Sequence, residues 1–202
     1  MPSNAWKALG GPSVLGHLRA DLARARAVLI VGPWLDEHVA AAILAASGNS
    51  IRFRVLTRPY DAMDPGFVPH ARAAHSAFLE TGRAEIRTLQ TLHAKALVLD
   101  DEVSYCGSAN WYRYSLETSK EIVLRGLVSE VPALLDLAEG YWQAGEPLQA
   151  VWDDAARGSV PPGETGKPAS GGYRAEVLDP LAAKVLREVK GAFVLGRDKR
   201  KA

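Results

Sequence analysis

The 202 residues carry 24 Lys or Arg against 23 Asp or Glu, a formal charge of +1, and 48% of them are apolar. That composition suits one globular core with room for a small appendage, and the near-zero charge singles out neither an anionic nor a cationic partner. A single cysteine, Cys106, excludes an internal disulfide, and no apolar run approaches the ~20 residues that cross a bilayer.

The start, MPSNAWKALGGPS, lacks a basic region followed by a long apolar one, so the expectation is a cytoplasmic protein that does not engage membranes. Val14 to Ala25 spaces Val14, Leu15, Leu18 and Leu22 as one face of a first helix. Ala27 to Val31 is a short apolar run that reads as a central strand, broken by Gly32-Pro33. Asp36 caps a helix that runs to about Ala46, closed by Gly48. Ile51 to Leu56 alternates as a strand, and Arg52, Arg54 and Arg58 gather near its end. A Pro/Gly/Asp loop over 61–69 precedes a helix from about His70 to Glu80, with Phe78 and Leu79 expected inside. Gly82 stops that helix, and Ala84 to Leu89 returns to the sheet. The alternation predicts an α/β domain, a mixed, mostly parallel sheet with helices on both faces.

The stretch His93 to Asn110, HAKALVLDDEVSYCGSAN, is the part around which the rest of the chain is organised. In an extended strand His93 and Lys95 project together, Leu97 and Leu99 continue their face inward, and Ala94, Ala96 and Val98 form the other. Asp100-Asp101-Glu102 makes a polar turn, Val103 to Cys106 returns, and Gly107-Ser108-Ala109-Asn110 comes back beside His93. An ammonium with neutral donors is a receptor for a phosphate oxyanion. An imidazole beside it attacks phosphorus or moves protons near neutral pH. The permanent cation at Lys95 argues against a divalent ion there, so no metal and no other cofactor is expected.

Trp111, Tyr112 and Tyr114 are candidates for stacking on bases or a substrate ring, with packing over the motif strands as the alternative. Glu121 to Leu124 is another strand, and Val131 to Trp142 carries a helical apolar stripe suited to covering the sheet or another subunit. The sequence therefore divides into a catalytic domain over 1–145, a Pro/Gly-rich linker over 146–173, and a C-terminal helix with a basic tail over 174–202. That tail, Arg197 to Lys201, is either a solvated end or a contact for a nucleic-acid backbone, and the extension is a candidate seat for a protein partner.

HxKxxxxD followed six residues later by GSxN resembles the signature of the phospholipase D superfamily, in its single-motif, nuclease-like form. The matching positions are His93, Lys95, Asp100, Gly107, Ser108 and Asn110, and the likeness runs over roughly Leu15 to Gln143. The resemblance implies that His93, Lys95, Ser108 and Asn110 are catalytic and that a glutamate on the strand after GSxN orients the histidine. Glu121 fits that position, with Glu117 as competitor. Asp100 and Gly107 are expected to support the motif rather than touch substrate. Members of the superfamily work with two such motifs, one histidine attacking phosphorus and the other protonating the leaving oxygen. Of the five histidines here only His93 is followed by Lys two residues on, so the resemblance implies a homodimer whose two copies complete one site.

Small single-motif members that the chain looks like are mostly metal-independent nucleases, several in prokaryotic DNA-defence systems. The expectation is an endonuclease that acts through a phosphohistidine on nucleic acid, DNA rather than RNA, with Trp111, Tyr112 and Arg58 as weaker substrate contacts. A phospholipase or phosphatidyltransferase is one alternative, and a non-catalytic binding or scaffold subunit is the other.

Overall fold

Short runs of Val, Leu and Ile form the middle of the sheet in this computed structural model, which describes residues 6–148. The strands are Lys7–Gly10 (β1), Ala27–Val31 (β2), Arg52–Thr57 (β3), Ala84–Thr88 (β4), Ala96–Leu99 (β5), Val103–Gly107 (β6), Ile122–Leu127 (β7) and Glu146–Pro147 (β8). They form one sheet in the order β1-β7-β6-β5-β2-β3-β4-β8. The runs AVLIV in β2 and ALVL in β5 are buried nearly throughout, as strands covered on both faces must be.

The helices are Gly11–Leu22 (α1), Glu37–Ala46 (α2), Val68–Glu80 (α3), Arg113–Glu117 (α4) and Pro132–Ala144 (α5). Proline in the first turn opens α1, α3 and α5, where its missing N–H costs nothing. Asp36 caps α2 by accepting from the Val39 backbone N–H at 2.8 Å. Four helices, α1 to α4, lie on one face, where Leu18, Leu22, Ile43, Phe78 and Leu116 meet Val28, Phe53, Leu97 and Tyr105. On the other face α5 sets Ala138 and Trp142 on Leu29, Val31, Leu56 and Val98. Burial of each large apolar side chain contributes about 1.5–3 kcal/mol, so the two faces together hold the domain.

The α/β class and the two helical layers agree with the sequence reading, but the strand directions correct it. Only β2–β3 and β3–β4 are parallel, the two pairs whose connections contain α2 and α3. The other five pairings are antiparallel, so the sheet is mixed and mostly antiparallel. Parallel neighbours need a long crossover, whereas β5 and β6 are joined by only three turn residues. Smaller corrections obey the same logic of burial. Phe78 is inside but Leu79 is 40% exposed, and β5 begins at Ala96, leaving His93 and Lys95 in an extended lead-in. Glu146–Pro147, expected in the linker, pairs with β4 instead. The rest of the linker, the C-terminal helix and the basic tail lie outside the described residues. Among the described residues no helix is long and apolar enough to cross a membrane.

Candidate active site

The turn after β5 explains one motif position. Asp100 and Asp101 both adopt left-handed backbone (φ 51° and 58°), and the Glu102 N–H donates to the Leu99 carbonyl at 2.9 Å. Aspartate tolerates that conformation better than most residues. The Asp100 carboxylate accepts from the backbone N–H groups of Arg26 (2.9 Å) and Ala27 (2.7 Å), tying the hairpin to the start of β2. It stands at one end of β5, and His93 stands beyond the other.

At that other end the chemistry gathers. Leu92 is buried, and its carbonyl accepts from Arg58 Nε at 2.7 Å, which fixes the approach to His93. The Lys95 ammonium donates to the His93 carbonyl at 2.8 Å and lies 3.2 and 3.3 Å from the two ring nitrogens. Partial burial, then the positive charges of Lys95 and Arg58, hold the His93 imidazole below its ordinary value of 6.5. The ring is therefore neutral at neutral pH, the form that carries a free lone pair. Lys95 is itself lowered, by burial first and Arg58 second, with Glu121 opposing.

β6 ends where β5 begins. The Gly107 N–H donates to the Lys95 carbonyl at 3.3 Å, and the Ser108 N–H to the Ile122 carbonyl at 3.0 Å. A Cβ on Gly107 would stand 2.2 Å from the Ile122 carbonyl oxygen, so only glycine lets β6 approach β7 this closely. The Ser108 hydroxyl donates to Glu121 at 2.5 Å and accepts from the Ile122 N–H at 3.2 Å. Ser115 donates to the other Glu121 oxygen at 3.1 Å and accepts from the Asn110 N–H at 3.0 Å. The Ser108 hydrogen bond, with those of Ser115 and Ser119 and the Lys95 charge, keeps the Glu121 carboxyl below its ordinary range despite burial. Glu121 is thus a carboxylate, and in its own subunit it is held by serine hydroxyls. Asn110 is half-buried, and its side-chain oxygen is buried with no hydrogen-bond partner among the described residues.

The structure brings His93, Lys95, Ser108, Asn110, Glu121 and Arg58 to one end of the sheet. It separates Asp100 from them and gives Glu117 to His38 and Arg113 on the helical side. Trp111 is a correction to the sequence reading. It is 1% exposed, its indole N–H donates to the Val31 carbonyl at 2.9 Å, and it packs against Gly32, so its ring cannot stack on a substrate. Tyr112 is half-buried, edge-on to Phe67 at 5.7 Å. Arg54 grips Glu139 on α5 through two bonds, and Arg52 starts β3 at the far end of the sheet, so neither stands at the site. Ser115 was missed in the sequence. Only its place in the fold, at the middle of the short α4, shows that it shares Glu121 with Ser108.

A more capacious open cleft, about 1190 Å³, lies at the opposite end beside Arg26, Arg52, Arg83 and Asp100. It contains none of the gathered site residues, and size alone does not make it the reactive centre. Among the described residues no three His, Cys, Asp or Glu side chains gather as a metal cluster.

A family model described as cardiolipin synthase, PLD-like domain, matches residues 19–135. The structure is similar to Nuc, a phospholipase D family member from Salmonella typhimurium, at 14% identity and a TM-score of 0.58, covering 70% of this chain and 97% of that one. It is similar to NucT from Helicobacter pylori at 14% identity and a TM-score of 0.59, covering 71% and 98%. Phosphatidylserine synthase from Haemophilus influenzae Rd KW20 matches at 17% identity and a TM-score of 0.51, covering 71% of this chain and 40% of that one. At such identities these likenesses are of fold. No match to a curated protein sequence was found.

Proposed function

The chain belongs to the phospholipase D superfamily, a superfamily of phosphodiesterase-type enzymes, and from that premise we propose that it hydrolyses phosphodiesters of nucleic acid, DNA above all, without a metal. The observation that carries the reading is the meeting of a neutral imidazole, His93, with the Lys95 ammonium beside an ionised Glu121. The Lys95 ammonium and the Asn110 side-chain N–H group donate to non-bridging phosphate oxygens and stabilise the charge that builds on a five-coordinate phosphorus. A neutral His93 ring nitrogen attacks, the P–N bond forms, and the P–O bond to the leaving group breaks.

The leaving alkoxide needs a proton, and the described residues offer no second imidazole at this place. A second copy of the chain, related by a two-fold axis, supplies one. Two imidazoles that face one phosphate share a proton, so one is neutral and attacks while the other is charged and donates. The same ring, now neutral, takes a proton from water as the water oxygen attacks phosphorus and the P–N bond breaks. Glu121 supplies the negative charge that balances the imidazolium. Ser108 gives its proton to Glu121 in this geometry, which makes it a positioning residue rather than a contact to phosphate.

Nucleic acid is favoured over lipid by scale and surroundings. The fold accounts for nearly the whole of Nuc and NucT but 40% of the phosphatidylserine synthase. Arg58 adds a second fixed cation beside Lys95, which suits a polyanionic backbone. Incubation with plasmid and single-stranded DNA in EDTA tests the reading. Cleavage that persists in chelator and vanishes in His93→Ala is expected. Turnover of a choline phospholipid in micelles without DNA cleavage would assign the site to lipid. Tight DNA binding with no cleavage would assign the chain to the scaffold role.

A further inference from the structure

The segment after β2 and the segment after Asn110 run side by side. β2 is antiparallel to β5 with Val31 opposite Ala96, so the residues beyond Val31 emerge at the end of the sheet where Lys95 and His93 stand. There Leu35 and Trp111 form a parallel bridge. The Trp111 N–H donates to the Trp34 carbonyl at 3.0 Å, and the Asp36 N–H donates to the Trp111 carbonyl at 3.1 Å. Leu35 and Trp111 are both buried, and alternation along extended backbone turns their neighbours Trp34, Asn110 and Tyr112 the other way. The Trp34 backbone thus lies one strand spacing, about 5 Å, from that of Asn110.

Phe67 joins them from the turn before α3. Its ring meets Trp34 edge-on at 4.9 Å and Tyr112 at 5.7 Å. The other edge-on pair, Phe53 and Phe78 at 5.1 Å, lies wholly inside the core. Trp34 and Phe67 are only half-buried, and neither belongs to the two apolar clusters that hold the sheet. Core packing therefore does not account for where they stand. Edge-on contact also leaves free the ring faces that a face-to-face stack would use. The backbone beneath the rings is braced. The Asp36 carboxylate accepts from the Val39 N–H at 2.8 Å and the Arg113 N–H at 2.7 Å, and the Phe67 N–H donates to the Asp64 carbonyl at 2.9 Å. A platform held in this way loses little freedom when a flat guest lands on it.

We propose that Trp34 and Phe67 form a subsite that stacks on an unpaired nucleobase next to the phosphate held by Lys95 and Asn110, and so select single-stranded nucleic acid. The inference rests on the reading of the site as one for nucleic-acid phosphodiesters, and it names the form of that substrate. Three features favour this occupant. The aromatic platform and the phosphate receptor are one strand spacing apart, and in a nucleotide chain a base accompanies every phosphate. Lys95 and Arg58 draw a polyanionic backbone to the same end of the sheet. Every nucleobase presents a π-face to an aromatic ring, whereas the acyl chain of a phospholipid presents none. In a duplex both faces of a base are already covered by its neighbours, so only an unpaired strand offers one.

Steady-state cleavage by the full chain in EDTA tests the inference on three substrates: oligothymidylate, the same strand annealed to oligoadenylate, and an abasic chain of equal length and charge. The wild type is expected to cleave oligothymidylate with a kcat/KM about 10-fold or more above that for either other substrate. The difference should lie in KM, because stacking holds substrate and transition state alike. Within each variant the ratio of oligothymidylate to abasic cleavage is read, so a general loss of activity cancels. Trp34→Leu and Phe67→Leu are each expected to bring that ratio to about 1, whereas Trp34→Phe keeps most of it. Leu79→Lys, an exposed apolar position on α3, is expected to keep all of it. A wild type that cleaves the abasic chain as well as oligothymidylate overturns the subsite and leaves the phosphodiester chemistry standing. A ratio that survives in both folded leucine variants overturns the assignment to these rings. Cleavage of none of the three substrates overturns both readings, and turnover of a choline phospholipid would then give the site to lipid.

Discussion

Gly107→Ala is the substitution that tests how the strands build the site. The added methyl carbon would lie 2.2 Å from the Ile122 carbonyl oxygen and 2.9 Å from the Val123 Cα, where ordinary contact begins about 1 Å farther out. Both neighbours are backbone, so relief requires β6 and β7 to part at this end. Parting them strains the Ser108 N–H to Ile122 carbonyl bond and the Ile122 N–H to Ser108 hydroxyl bond, each worth about 1 kcal/mol net. With the overpacking itself, the loss is about 2–3 kcal/mol. For a chain of this size that lowers Tm by roughly 5–10 °C. The same opening shifts Ser108 and Glu121 relative to Lys95, and a displacement of about 1 Å at a reacting centre costs on the order of 100-fold in rate. Differential scanning calorimetry and a nuclease assay on one preparation read both effects. An alanine variant that melts with the wild type and cleaves at the wild-type rate would refute the claim that this close approach sets the site.

Three further outcomes are expected. Asp100→Ala removes the acceptor for the Arg26 and Ala27 N–H groups at the start of β2 and puts alanine in left-handed backbone, so urea denaturation should show a loss of about 1–3 kcal/mol. The rate of the folded protein should stay within a few-fold, because the turn is remote from His93, and a large fall in rate with unchanged stability would contradict that separation. Arg58→Ala removes one of the positive charges that depress His93, so an NMR titration should find its imidazole moved upward toward 6.5, and an unmoved titration would deny the coupling. His75 is buried against Tyr60, and burial lowers its imidazole from 6.5 to about 4. It stays neutral in the fold while the unfolded chain takes up a proton, so its contribution is whole above pH 6.5. As pH falls toward 4 about 3 kcal/mol is lost, and His75→Gln should flatten that slope in urea midpoints at pH 7 and 4.5.

The motif was legible because its chemistry is written in spacing. Two positions from His93 to Lys95, and six residues between Asp100 and the glycine-serine pair, are what a strand, a turn and a returning strand require. Buried strands such as β2 and β5 were equally plain from their apolar runs. What escaped the sequence depends on partners distant in the chain. β1 is four residues, LysAlaLeuGly, and exists only because β7 offers an edge to pair with. β8, two residues long, carries no pattern at all. Trp111 looked like a stacking platform because aromatic residues cluster after GSxN. Its burial follows from Gly32, 79 positions earlier, whose missing side chain makes room for the indole. The set of Asp21, Tyr105 and Arg125, which ties α1 to β6 and β7, joins residues that no local window contains. Ser115 belongs with them: a serine in a polar stretch becomes a donor to Glu121 only when α4 folds back.

One preparation addresses the shared site without intermediaries. Wild-type and His93→Ala chains carrying different affinity tags are produced together, and the doubly tagged pair is purified away from both homodimers. With one imidazole per pair, the attack and the protonation of the leaving group cannot both occur, and DNA cleavage in EDTA should fall by about 1,000-fold or more. A mixed pair that keeps about half the wild-type activity, as independent subunits would, contradicts the account.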